Sequence, residues 1–128
     1  MNPVGLVTHP DYESHETGMT HPERPERLRV VVEHLERSGL KSDLVALAPR
    51  VAAVESIARV HDVAYIERVS SHCRGGRAII DSIDTEICAR AFDVSLLATG
   101  GAMAAADAVM EGRVGQAFCA VRPPGHHA

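Results

Sequence analysis

Gln116-Ala-Phe-Cys-Ala-Val121 runs directly into Arg122-Pro-Pro-Gly-His-His-Ala128, and this stretch decides how the rest of the chain is read. The first half is a short apolar run, the pattern of a buried strand. The second half is a stiff turn carrying two adjacent histidines. Proline fixes φ and Gly125 permits backbone angles closed to other residues, so the turn can hold both imidazoles in set directions. Residues just beyond the carboxyl end of a buried strand lie where open α/β sheets place their chemistry. Imidazole takes and gives protons near neutral pH. The bland alternative is a pair of solvated histidines on a loop.

Working outward, the chain alternates strand and helix patterns. Val4-Gly-Leu-Val-Thr8 reads as a first strand, and the polar, turn-rich His9–Thr20 as a surface loop. Leu28, Val31, Val32 and Leu35 fall on one helical face, with Pro25 suited to the first helical position and Gly39 to the stop. Leu44–Ala48, closed by Pro49, reads as a second strand. Val51–Val60 and Val63–Val69 are short helical patterns with Asp62 as a cap between them, and His72–Arg77 reads as a loop. An Ala-rich helix is expected from about Glu86 to Met110, with Asp84 or Thr85 as its N-cap and Gly112 as its stop. Gly100-Gly101 costs stability inside it, which is easier to explain if another backbone packs closely there. The alternation implies an α/β fold with a parallel sheet. No repeat or linker divides residues 1–128, which read as a single domain.

Composition narrows the function. A hydrophobic content of 45% with 23% charged residues is that of an ordinary globular chain long enough to bury a core. Aromatics are only 3%, so the core must rest on Val, Leu, Ile and Ala. The net charge of −4 argues against direct nucleic-acid binding. The basic residues of His21–Arg29 are interleaved with acids. Cys73, Cys88 and Cys119 lie far apart, the pattern of free thiols in a reducing compartment. No signal segment precedes the first strand and no apolar stretch is read as long enough to span a bilayer, so no membrane is expected and the location is cytoplasmic.

Three stretches can carry chemistry. Adjacent histidines in a loop point differently and rarely bind one metal together. His126 and His127 therefore suit two distinct proton-handling roles, each needing a carboxylate partner. In His21-Pro-Glu-Arg-Pro-Glu-Arg-Leu28, a charged helix start is the stronger local reading, with Glu23 and Glu26 favoured by the helix dipole and Arg24 and Arg27 paired with them or with acids elsewhere. His21 could face a cleft. Asp84 reads locally as a cap, although Thr85 could cap and leave Asp84 to hold a substrate's backbone N–H groups. The scattered histidines show no zinc-ligand spacing, and no phosphate loop or nucleophile elbow is present.

With these blocks laid out, the sequence resembles the N-terminal portion of the histone deacetylase family, which includes the acetylpolyamine amidohydrolases. Four blocks in order carry the resemblance: His21–Leu28, Val60-His-Asp-Val-Ala-Tyr-Ile66, Asp84-Thr85 with Gly100-Gly101, and Ala120–Ala128. It implies an arginase/deacetylase-like parallel sheet flanked by helices, of which residues 1–128 are an incomplete domain. It also implies zinc-dependent removal of acetyl groups from acetyl-lysine, acetylated polyamines or other small acylamides. On the family pattern His127 is the general base, His126 its electrostatic neighbour, and Asp84 the grip on the substrate backbone. Arg122 and Gly125 support the site.

The family's zinc ligands, an Asp-x-His pair and a later Asp, come after the His-His pair. So do its orienting carboxylates and its Tyr. Zn2+ is therefore expected of the complete domain and not of this stretch, which alone is expected to be inactive and to expose sheet edges and apolar helix faces. The alternative is a truncated non-catalytic module that oligomerises or binds a partner. A weaker one is a metal held by His9, His15 or His21. The sequence carries no reading of oligomeric state.

Overall fold

The structure is a computed structural model that describes residues 2–125. Three strands form its centre: β1 (Val4–Val7), β2 (Leu44–Ala46) and β5 (Gln116–Cys119). They pair in the order β2-β1-β5, and both ladders are parallel. The register Val4↔Gln116 to Val7↔Cys119 is extended by the Ala120 N–H, which donates to the Val7 carbonyl at 2.8 Å. Parallel pairing puts the carboxyl ends of β1 and β5 at one edge of the sheet, so the segments after Val7 and after Cys119 emerge side by side.

Helices cover both faces, as parallel sheets require. On one side α1 (Pro25–Arg37) packs Leu28, Val32 and Leu35 against Leu6, Leu44 and Ala120. Its boundaries follow the sequence: Pro25 opens it, and Gly39 just beyond it takes φ +78°. On the other side α4 (Ala91–Met110) places Ala105 and Ala108 on Val7, Leu47 and Val114. Between β2 and α4 the chain forms α2 (Val54–Ile57) and α3 (Val63–Arg74). Asp62 caps α3, its carboxylate accepting from the Ala64 N–H at 2.7 Å.

Four differences from the sequence reading matter. The expected loop at His72 begins later, because α3 runs on to Arg74. The loop after β1 contains a 3-10 turn, Pro10–Ser14, which buries Tyr12 completely. Helix α4 starts at Ala91, so neither Asp84 nor Thr85 caps it. Those residues lie in β4 (Ser82–Glu86), antiparallel to β3 (Ile79–Ile80), where Ile79 and Ile80 supply strand-forming side chains. Finally, α4 is a 20-residue helix apolar enough by length and composition to cross a membrane, contrary to the expectation that no stretch reaches that length. Eight of its residues, from Ala91 to Ala108, are buried in the core.

Gly100-Gly101 has the cause expected of it. A Cβ on Gly100 would lie 1.7 Å from the Arg50 carbonyl oxygen, where the segment after β2 crosses α4 and the Ala52 N–H bonds the Leu96 carbonyl. A Cβ on Gly101 would meet the Tyr12 hydroxyl at 2.7 Å. Apolar surface is also left open, as expected: Phe118 on β5, at one end of the strand order, is 48% exposed.

Candidate functional site

At the carboxyl edge of the sheet the strongest feature is a buried ionic cluster. Arg122, three residues past β5, is 3% exposed. Its guanidinium grips Glu23 with both arms, Nε to Oε1 at 2.6 Å and Nη2 to Oε2 at 2.8 Å. Its third nitrogen donates to the carbonyls of Tyr12 and His15, at 2.9 and 3.0 Å. One side chain therefore ties together the segment after β1, the segment before α1 and the segment after β5. Four of its five N–H donors are used within the protein, the satisfaction that a buried guanidinium needs.

The electrostatics follow from this packing. Burial opposes ionisation of Glu23, but the hydrogen bonds and charge of Arg122 outweigh it and hold the carboxyl below its ordinary value. His15, 5% exposed, has its Nε2 3.8 Å from Glu23 Oε2, and its Nδ1 is buried with no hydrogen-bond partner. Burial first, and then the Arg122 charge, lower its pKa, so the ring is neutral at pH 7. Tyr12, whose hydroxyl donates to the Leu97 carbonyl, is pushed up to about 12 by burial and by Cys119.

A second set of contacts joins the His21–Leu28 motif to the β3–β4 hairpin. His21 Nε2 donates to the Asp84 carbonyl at 2.9 Å. Its Nδ1 lies 3.0 Å from both the N–H and the carbonyl of Glu23. A neutral ring accepts from the N–H; a protonated ring can donate to the carbonyl. The Asp84 carbonyl is the main cause that raises the His21 pKa. Alongside, the Gly18 N–H donates to the Glu86 carboxylate, and the Ser82 hydroxyl donates to the Asp84 carboxylate. His21 thus faces the hairpin, as the sequence allowed.

The expected site residues separate accordingly. Arg122 is buried in the cluster and Gly125 takes φ +71°, the left-handed angle a glycine was expected to supply. Asp84 sits in the exposed hairpin, tied to the motif through its carbonyl. His126 and His127 lie outside the described residues. Sequence reasoning missed the long-range partner of Glu23. It assigned Glu23 to the helix dipole, whereas the side chain reaches Arg122, 99 positions away. It weighed His15 only as a weak metal-ligand candidate and passed over Tyr12; their place just after a buried strand is the signal that could have flagged both.

A zinc site does not fit the described residues. Among them no group of three or more His, Cys, Asp or Glu is placed to hold a metal ion. His15 lies against the Arg122 cation, and both ring nitrogens of His21 are engaged by backbone.

Comparison with known proteins gives this geometry its context. The histone deacetylase domain profile matches residues 21–128. A probable deacetylase of Archaeoglobus fulgidus is 41% identical over 98% of this chain, and a histone deacetylase-like amidohydrolase of Pseudomonas aeruginosa is 35% identical over 84%. The human polyamine deacetylase HDAC10 is 32% identical over 82%. This chain spans 35%, 28% and 16% of those relatives. The crystal structure of the HDA15 HD domain superposes with a TM-score of 0.91 at 25% identity, over 99% of this chain and 37% of that one. With a profile match over most of its length and the deacetylase-domain architecture in its sheet and helices, the chain belongs to the histone deacetylase domain family.

Proposed function

We propose that residues 1–128 are the N-terminal portion of one deacetylase domain, in a cytoplasmic hydrolase that removes acetyl groups from acetyl-lysine, acetylated polyamines or related small acylamides. The observation that carries this reading is the cluster at the carboxyl edge of the sheet. Arg122, held by Glu23, stands at the start of the turn that leads to His126 and His127. In the reaction, a water adds to the acyl carbon, the C–N bond breaks, and acetate and the protonated amine leave. His127 takes the water's proton as general base, and His126 stabilises the charge that develops beside it. Asp84, on the hairpin joined to His21, holds the N–H groups of the substrate's backbone, and Arg122 and Gly125 shape the turn. On the family pattern the zinc ligands come after the His-His pair, and on that reading residues 1–128 expressed alone release no acetate.

The test uses the protein at its natural full length, assayed for acetate release from an acetyl-lysine amide and from acetylspermidine, with bound zinc measured by elemental analysis. Turnover is expected, and His127→Ala should lower kcat by on the order of 10²- to 10⁴-fold. A folded, zinc-loaded protein that releases acetate from neither probe would defeat the proposal.

A further inference from the structure

We infer that His21 is a positioning residue for Asp84: its bond to the Asp84 carbonyl sets where the hairpin carries that carboxylate, an assignment that rests on the deacylase reading above. Three observations carry it.

The first is that the sheet does not place Asp84. The β3–β4 ladder pairs Ile79 with Glu86 and Ile80 with Ser82. Ile83, Asp84 and Thr85 therefore stand between two paired residues as a bulge, with no partner across the ladder. Bulges re-aim side chains and recur beside functional sites. A two-stranded hairpin has little stability of its own, so its contacts with the rest of the chain fix its shape. Apolar burial does not supply that contact at the bulge, where Ile83 is 87% exposed.

The second is the geometry of the ring. A carbonyl only accepts, so the 2.9 Å contact puts a proton on Nε2 of His21. Nδ1 of the same neutral ring then accepts from the Glu23 N–H at 3.0 Å. Protonation of the ring leaves the Nε2 bond in place. One imidazole thus joins the bulge to Glu23, whose carboxylate is gripped by the buried Arg122.

The third is that the Asp84 side chain is held locally and its backbone from outside. The Ser82 hydroxyl donates to the Asp84 carboxylate and lies 2.8 Å from the Thr85 hydroxyl. These bonds turn the carboxylate within the hairpin but do not place the hairpin. Arg68 and Gly18 tie it at Asp81 and Glu86, on either side of the bulge. His21 is the tie at Asp84 itself. An acceptor held in this way binds a substrate's N–H groups with less ordering cost.

The experiment uses the full-length protein and two substitutions that divide the ring. His21→Asn puts an amide oxygen near the place of Nδ1, which keeps an acceptor for the Glu23 N–H, but it is too short to reach Asp84. His21→Gln carries an amide N–H out to the place of Nε2. KM and kcat are measured on acetyl-lysine flanked by peptide bonds, and amide hydrogen exchange of residues 79–86 is followed by mass spectrometry. His21→Asn should raise KM about 3- to 10-fold, the worth of one hydrogen bond, with kcat nearly unchanged. Exchange at 79–86 should quicken in the same variant. His21→Gln should stay close to wild type in both. In Asp84→Ala, whose KM is already raised, adding His21→Asn should raise it no further. A full further rise in that background would overturn the inference, as would an unchanged KM in His21→Asn or an equal loss in His21→Gln. Failure of both His21 variants to fold would also overturn it, by making the ring purely structural. If wild type releases no acetate, the function reading fails by itself, and exchange at 79–86 still decides whether His21 holds the hairpin.

Discussion

Two arginine–carboxylate pairs in this molecule have the same chemistry and different consequences. Arg122 and Glu23 meet through 2.6 and 2.8 Å bonds, with side chains 4% and 17% exposed. Arg68 and Asp81 meet at 2.6 and 3.4 Å, with side chains 42% and 49% exposed. The exposed pair is local, 13 residues apart, and braces the turn of the β3–β4 hairpin, where Asp81 adopts φ +63°. Hydrogen bonding to Arg68 holds the Asp81 carboxyl below its ordinary value. In water, either partner of that pair can exchange the other for solvent. The buried pair exchanges far less readily, because its arginine is almost fully covered and its glutamate is only 17% exposed. Burial, more than bond length, decides how much the loss of one partner costs.

The largest expected effect follows directly. Arg122→Met leaves the Glu23 carboxylate buried and unpaired and should lower unfolding stability by about 3–5 kcal/mol, measured by denaturant titration at pH 7. Arg68→Met, with a similar loss of charge, should leave the transition where wild type has it. Equal shifts in the two variants would erase the contrast.

A pH titration sharpens the comparison, because the buried cluster should weaken in two stages on the acid side. The folded pKa of His15 lies below its ordinary 6.5, chiefly through burial and then through Arg122. As pH falls below 6.5 the unfolded chain binds the proton first, so stability declines. The folded pKa of Glu23 is likewise lowered from 4.5, so its contribution is present above pH 4.5 and is lost as the pH falls through the folded value. His21 acts in the opposite sense. Its pKa is raised, so its contribution is present below 6.5 and fades as the pH rises through the folded value. Denaturation series between pH 8 and pH 4 should show stability falling over the upper acid segment, from 6.5 towards 4.5, in wild type, and that fall should be missing in His15→Gln. An unchanged upper segment in His15→Gln would assign that loss to another group.

These contrasts also mark what the sequence could reveal. Helix α1, the parallel sheet and the crowded glycine pair were legible because each depends on a short-range pattern: an apolar face, apolar runs alternating with helices, or two residues without side chains inside a helix. The family blocks were legible for the same reason. The Glu23–Arg122 bond was not, because no local pattern records a partner 99 positions away, and a glutamate near a helix start has an adequate local explanation. The hairpin at Ile79–Glu86 was hidden differently. Asp84 and Thr85 are good cap residues, and the stretch is too short for strand periodicity to outvote them.

That competition between a cap and a strand yields the smallest and most discriminating prediction. Asp62 and Thr85 were both read as candidate helix caps, and only Asp62 makes the bond, to the Ala64 N–H. Asp62→Ala should therefore cost about 0.5–2 kcal/mol, the usual loss when a side-chain cap is removed. Thr85 instead has its hydroxyl 2.8 Å from that of Ser82, within an exposed hairpin, and α4 begins six residues later at Ala91. Thr85→Ala removes one exposed hydroxyl contact, and its effect on the unfolding midpoint should be well below that of Asp62→Ala. If the two substitutions prove equally costly, residues 84–90 carry helical structure in solution. The strand assignment at β4, and with it the path from His21 to Asp84, would then have to be redrawn.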